Sequence, residues 1–174
     1  MRIGILCVAL VLGGCAPVAE PTPVTATSPA ESLPADGIEE LALAAVNRYF
    51  AVSTEVAADG GANPDRIAEA VTDSWLPEEL SGFDALRALG ASQVGSPTVT
   101  KMQVAAVRGI AAVTEVVVYA CTTADGVTIR TDDTETDAPA GLSLVTVYVV
   151  PENGELQVDG VEPWTDVSWC VEQS

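Results

Sequence analysis

Residues 99–122, VTKMQVAAVRGIAAVTEVVVYACT, decide the fold class. Two runs dense in valine, residues 99–107 and 110–122, flank the dipeptide Arg108-Gly109. β-Branched density of this kind suits a pleated, half-buried surface. A Gly-containing dipeptide between two such runs predicts a tight hairpin. The strand pattern continues downstream. Residues 127–131 form a short strand after Ala124-Asp125-Gly126, and residues 142–150 form a long one. Pro151-Glu152-Asn153-Gly154 is a strong turn signal. In residues 155–162, Leu156 and Val158 then alternate against Glu155, Gln157 and Asp159. A last segment carries Trp164, Trp169 and Cys170.

Upstream the period changes from two to about 3.6. Asp36 followed by Glu39 fits an N-cap with its capping-box partner. Ile38, Leu41, Ala45, Tyr49, Val52 and Val56 recur at three- and four-residue steps, one face of a helix. Asp59-Gly60-Gly61 stops it. Asn63-Pro64 starts a second short helix, with Ile67, Ala70 and Val71 on its apolar side. A third is expected over residues 76–89, with Ser81 capping its second half and Gly90 ending it. Helices first and antiparallel strands after predict an α+β domain, with the helices packed on one face of a sheet.

Charge and composition remove several functions. The chain of 174 residues carries 25 acids, seven bases and no histidine, a formal charge of −18. Yet 48% of it is hydrophobic and its mean hydropathy is +0.32, so it is no disordered acidic tail. Nucleic acid is excluded as a partner, because that binding needs Lys and Arg on phosphates. The lack of histidine removes the commonest general base and metal ligand, and with them any Ser-His-Asp set. No Walker or dinucleotide glycine pattern follows a strand into a helix, and no cofactor is expected.

The amino terminus reads as a targeting segment. One cation, Arg2, precedes an apolar run over residues 3–12, followed by Gly13-Gly14-Cys15. The run is too short for a spanning helix, which needs roughly 20 residues. Leu12-Gly13-Gly14-Cys15 resembles the lipobox of bacterial lipoproteins, Leu-x-Gly/Ala-Cys. The resemblance implies that residues 1–14 are a signal peptide, removed together with Cys7. It also implies a diacylglyceryl group on the sulfur of Cys15. Residues 15–36 then form a lipidated, Pro/Thr/Ala-rich tether with prolines at 17, 21, 23, 29 and 34. Such a segment reaches up to roughly 65 Å. Residues 37–174 make the domain, which keeps 22 acids against six bases. A surface of that sign repels anionic headgroups, so a covalent anchor is what would hold it at a membrane.

The element order over residues 37–174 resembles the nuclear transport factor 2-like superfamily, in which a bent antiparallel sheet wraps a long first helix into a cone. Many secreted and lipid-anchored actinobacterial proteins look like this, often with one disulfide joining two sheet strands. Once Cys15 carries lipid, Cys121 and Cys170 remain as an even pair in an oxidising compartment, and a disulfide is the expectation. The other readings are a reactive thiol, disfavoured by the neighbours Ala120, Thr122, Trp169 and Val171, and a metal pair, which two cysteines cannot close alone.

Cones of this superfamily often hold a pocket. Enzymes that resemble it, such as ketosteroid isomerase, place an Asp base and a Tyr donor there. Glu115 lies on the same strand face as Tyr119 and Cys121, Tyr49 on the stripe of the first helix, and Tyr148 on the strand over residues 142–150. Glu115, Tyr119 and Tyr49 are thus the acid–base candidates, set against surface carboxylate and core tyrosine roles. Asp133, Glu135 and Asp137 alternate like the start of a calcium loop, but Ala138 and Leu144 stand where that loop needs Gly and Glu, which favours a solvated acidic loop and no metal. Trp75, Trp164 and Trp169 are either an aromatic platform for sugars or packing residues. The expected function is a lipid-anchored, extracytoplasmic binding or assembly module on the outer face of the cytoplasmic membrane. Its partner would be an envelope protein or a small apolar ligand. The alternatives are a carboxylate/tyrosine enzyme and a passive envelope component.

Overall fold

The computed structural model describes residues 37–109 and 114–171. The signal peptide, Cys15, the tether, the Asp36 cap and the first part of the strand expected over 110–122 lie outside the described residues. The chain is α+β, as its element order predicts. Helix α1 (Ile38–Ala58) is followed by a 3-10 turn (Pro64–Glu69) and helix α2 (Leu76–Ala88). Strands β1 (Ser92–Val94), β2 (Thr98–Arg108), β3 (Glu115–Thr123), β4 (Thr128–Arg130), β5 (Glu135–Asp137), β6 (Leu142–Glu152) and β7 (Glu155–Trp164) come next, and a short helix α3 (Ser168–Val171) closes the series.

Two sheets form. The larger has the order β2-β3-β6-β7 with all neighbours antiparallel; the smaller has the order β1-β4-β5. Register shifts in β2 and β7 are bulges, which bend a strand and raise its twist. Val71 adds a single parallel bridge to Val158 on the free edge of β7. Backbone bonds Thr72 N–H to Val158 C=O (2.9 Å) and Val158 N–H to Ala70 C=O (3.0 Å) hold it there.

The core lies between the helices and one face of the large sheet, here the inner face. Val46 and Val56 of α1, Ile67 of the 3-10 turn, and Val116, Val118, Val147, Val149 and Val158 of the sheet are all fully buried. Strand alternation explains the set: Val116 pairs with Val149 and Val118 with Val147, so all four point the same way. Burying one such side chain contributes about 1.5–3 kcal/mol.

Several expectations need correction. Arg108-Gly109 is not a two-residue hairpin: Arg108 pairs with Glu115, and the connection runs from Gly109 to Thr114, whose N–H donates to the Arg108 carbonyl. The inward set of β3 fixes this register, and a slip by one residue would turn every side chain over. Helix α2 passes through Ser81 without a break. The cap position of α1 is Gly37, at a left-handed φ of 82°, with no side-chain cap bond. Leu41 belongs to the periodic stripe yet is 46% exposed, as part of the wall of an open groove beside the β6–β7 turn. The acidic run is no open loop: Glu135–Asp137 pairs with β4 as strand β5.

Two turns depend on special backbone. At the end of α1, Gly61 has φ +77° and lies so close to the Phe83 carbonyl that a Cβ would collide with it. Asn153 (φ 52°) and Gly154 (φ 81°) form the two-residue turn between β6 and β7, the left-handed pair that a right-twisted hairpin requires.

Candidate binding surface on the outer sheet face

The face of the large sheet turned away from the helices carries most of the residues that the sequence singles out. Alternation places Glu115, Val117, Tyr119 and Cys121 of β3 on it. Sheet register then lines up three cross-strand rows. Lys101, Cys121, Leu144 and Trp164 form one; Gln103, Tyr119, Thr146 and Glu162 form the next; Val117, Tyr148 and Gly160 form the third.

This face is covered in part by its own large side chains. Cys121 is fully buried, and Val117, Leu144 and Thr146 are 5% exposed or less. Tyr119 lies between two tryptophans, with ring centroids 6.1 Å from Trp164 and 6.0 Å from Trp169. The second contact is edge-on, at 70° between planes, a favoured arrangement of ring quadrupoles. Trp164 remains 51% exposed.

Helix α3 is fastened to this surface. A disulfide joins Cys121 to Cys170, with Cα atoms 5.7 Å apart. It links strand β3 to helix α3, not two sheet strands as the superfamily resemblance implies. Lys101 adds a second tie: its ammonium donates to the Trp169 carbonyl at 2.9 Å and lies 3.9 Å over the Trp169 ring. Asp166 accepts the Ser168 N–H at 2.9 Å, which starts α3 and holds that carboxyl below its ordinary value.

Polar groups border the rings. The Tyr148 hydroxyl donates to Glu162 at 2.9 Å, and that hydrogen bond raises its pKa. Arg108 and Glu115 pair across the end of the hairpin. Thr146 is 3% exposed, and its hydroxyl has no hydrogen-bond partner. An orphaned buried hydroxyl costs about 1–3 kcal/mol.

The acid–base candidates divide between the two sides of the sheet. Glu115 and Tyr119 are on the outer face, with Glu115 held by Arg108. Tyr49 is in the core and donates to Glu79 of α2 at 2.9 Å. The indole N–H of Trp75 donates to the same Glu79 oxygen, also at 2.9 Å. Burial, then the Glu79 charge and hydrogen bond, push the Tyr49 phenol well above its ordinary value. That trio cross-links α1 to α2. It joins neither Glu115 nor Tyr119, so no shared acid–base pocket forms from the three.

A groove of about 440 Å³ lies between α1 and the β6–β7 turn, with Leu41, Ala44, Ala45 and Leu156 as apolar walls. Arg48 reaches its floor, donating to Glu155 at 3.2 Å and to the Leu156 carbonyl at 3.0 Å. Among the described residues, no group of three or more His, Cys, Asp or Glu is placed to hold a metal ion. In the acidic run, Glu135 instead accepts from Arg130 and Thr128. No described helix is long and apolar enough to cross a membrane.

Sequence reading did not pick out Lys101, Thr146 or Glu162. The available signal was the pairing of Cys121 with Cys170: it brings Trp169 beside Tyr119, and strand alternation then adds the neighbouring rows.

No family model and no curated protein matches this chain. Among solved structures, the chain is similar to the intermembrane space region of the chloroplast protein ARC6. The TM-score is 0.58 at 10% identity, covering 74% of this chain and 97% of that one. At that identity the likeness is one of fold.

Proposed function

We propose that this protein is a lipid-anchored binding or assembly module of the cell envelope, and that the outer sheet face is its binding surface. The observation that carries the reading is the aromatic surface on the outer face. Tyr119, Trp164 and Trp169 are gathered there, and a disulfide and a lysine fasten helix α3 among them. A half-exposed tryptophan on a braced sheet is the kind of rigid aromatic anchor that dominates interfaces. The opposite face is occupied by the protein's own helices, which leaves the outer face to a partner.

The envelope location is supported by Leu12-Gly13-Gly14-Cys15, which has the order of a lipobox. An acidic domain gains little from anionic lipid, so a lipid on Cys15 supplies the attachment, worth about 0.8 kcal/mol per buried CH₂. The superfamily suggested by the element order remains part of this proposal, as do the signal peptide and tether.

Two variants separate the parts of the proposal. Cys15→Ala is expected to move the protein from the membrane fraction to the soluble or unprocessed fraction. Trp164→Ala is expected to stay anchored and to lose co-purifying partner. Unchanged membrane association in the first variant overturns the anchor. Unchanged co-purification in the second overturns the surface.

A further inference from the structure

The geometry points to a cationic side chain, arginine above all, presented by a basic segment of a protein partner, as what the outer face binds. Its seat is the exposed ring of Trp164, with Glu162 two residues away on the same face of β7 as the acidic group. This rests on the outer face being the binding surface and adds the chemistry of its occupant.

The protein already shows the interaction within itself. Tyr119 has a tryptophan on either side, and over one of them, Trp169, lies the Lys101 ammonium at 3.9 Å. Among the described residues no such cation lies over the other, Trp164, which is 51% exposed. Tryptophan is the strongest aromatic acceptor of a cation. Glu162 is two residues from Trp164 on the same face of β7. One of its oxygens accepts from Tyr148, and an ionised carboxylate has acceptor capacity to spare.

A guanidinium carries a planar fork of N–H donors, which can serve a carboxylate while the plane stacks on a ring. The domain also holds 22 acids against six bases, a field that draws cations and repels anions. A neutral sugar would use the ring and gain nothing from that field.

The test is titration of the full chain in detergent with capped tetra-arginine, followed by tryptophan fluorescence and calorimetry. Capped tetra-citrulline and a neutral chitooligosaccharide serve as comparison ligands. Tetra-arginine is expected to bind, and tetra-citrulline and the sugar are not. Trp164→Ala and Glu162→Gln are each expected to weaken binding roughly two- to fivefold, the scale of an exposed cation–π contact. Glu40→Gln, which removes a charge on exposed α1, is expected to leave affinity within error, and that separates a seat from general attraction. Circular dichroism confirms that each variant is folded. Equal affinity in Trp164→Ala, or equal weakening by Glu40→Gln, overturns the proposal, and so does a sugar that binds as well as the peptide. If the peptide fails but Trp164→Ala still abolishes partner co-purification, the cation is wrong and the surface stands. If Trp164→Ala changes neither, both fall.

Discussion

Cys121, fully buried on β3, is bonded to Cys170 of α3 across a sequence separation of 49 residues. That bond places Trp169 against Tyr119, so one covalent link both stabilises the domain and shapes its outer face. Closing a loop of this length is worth roughly 4 kcal/mol in the unfolded chain. The double variant Cys121→Ser/Cys170→Ser is expected to lose about that much in urea unfolding. Its near-ultraviolet dichroism should weaken as the rings separate. An unchanged midpoint and spectrum would contradict both roles.

Core and surface positions of α1 and its neighbours should respond differently. Ile67 is fully buried on the 3-10 turn, so Ile67→Ala is expected to cost about 2–5 kcal/mol. Leu41 lies on the helical stripe but is 46% exposed, so Leu41→Ala should change stability by less than about 0.5 kcal/mol. Denaturant melts of the two variants check the contrast. A large loss at Leu41 would mean that α1 is rotated from the position described.

The fold class was legible because Ile38 to Val56 repeats at helical steps, and valine-dense runs bounded by turn residues follow it. Other features were not legible, for identifiable reasons. Arg108-Gly109 looks like a tight turn locally, but the pairing of Val116 with Val149 and Val118 with Val147 fixes where β3 must start. The acidic run is solvated as expected but is a strand and not a loop, because β4 offers it a partner, with Arg130 and Thr128 bonded to Glu135. Tyr49, Glu115 and Tyr119 each suit acid–base work by residue type. Which side of the sheet a residue takes depends on long-range register, and that register puts Tyr49 apart from the other two.

The end of α1 offers a backbone test. Gly61 has φ +77°, and a Cβ there would meet the Phe83 carbonyl, which is backbone and has little room to move. Gly61→Ala is expected to destabilise by more than about 1 kcal/mol. Gly82→Ala in α2, where a Cβ meets open space, is expected to stabilise slightly. Thermal melts of the pair check the signs, and equal effects would refute the close approach.

Tyr49 sets an alkaline limit. Its phenol is raised by burial first and by Glu79 second. An unfolded tyrosine titrates near about 10. A raised folded value means that the folded state holds the proton more tightly. The stabilisation is therefore complete below the unfolded value and is lost as pH rises through the interval above it. Wild-type stability is expected to fall as pH climbs past about 10, and Tyr49→Phe to flatten that decline. Urea titrations across the alkaline range measure the slopes, and identical slopes would show that Tyr49 ionises no differently in the folded chain.

The central claim is that the outer sheet face meets a partner. Its most direct test is a photo-crosslinking residue, benzoylphenylalanine, placed at position 103 in one variant and at position 41 in another, so that Trp164 itself is kept. Both positions are exposed; Gln103 shares the outer row of Tyr119 and Glu162, and Leu41 is on α1 on the other side of the sheet. After irradiation of native membranes, a discrete adduct is expected from position 103 and none from position 41. No adduct from position 103, or the same adduct from both, would contradict the account.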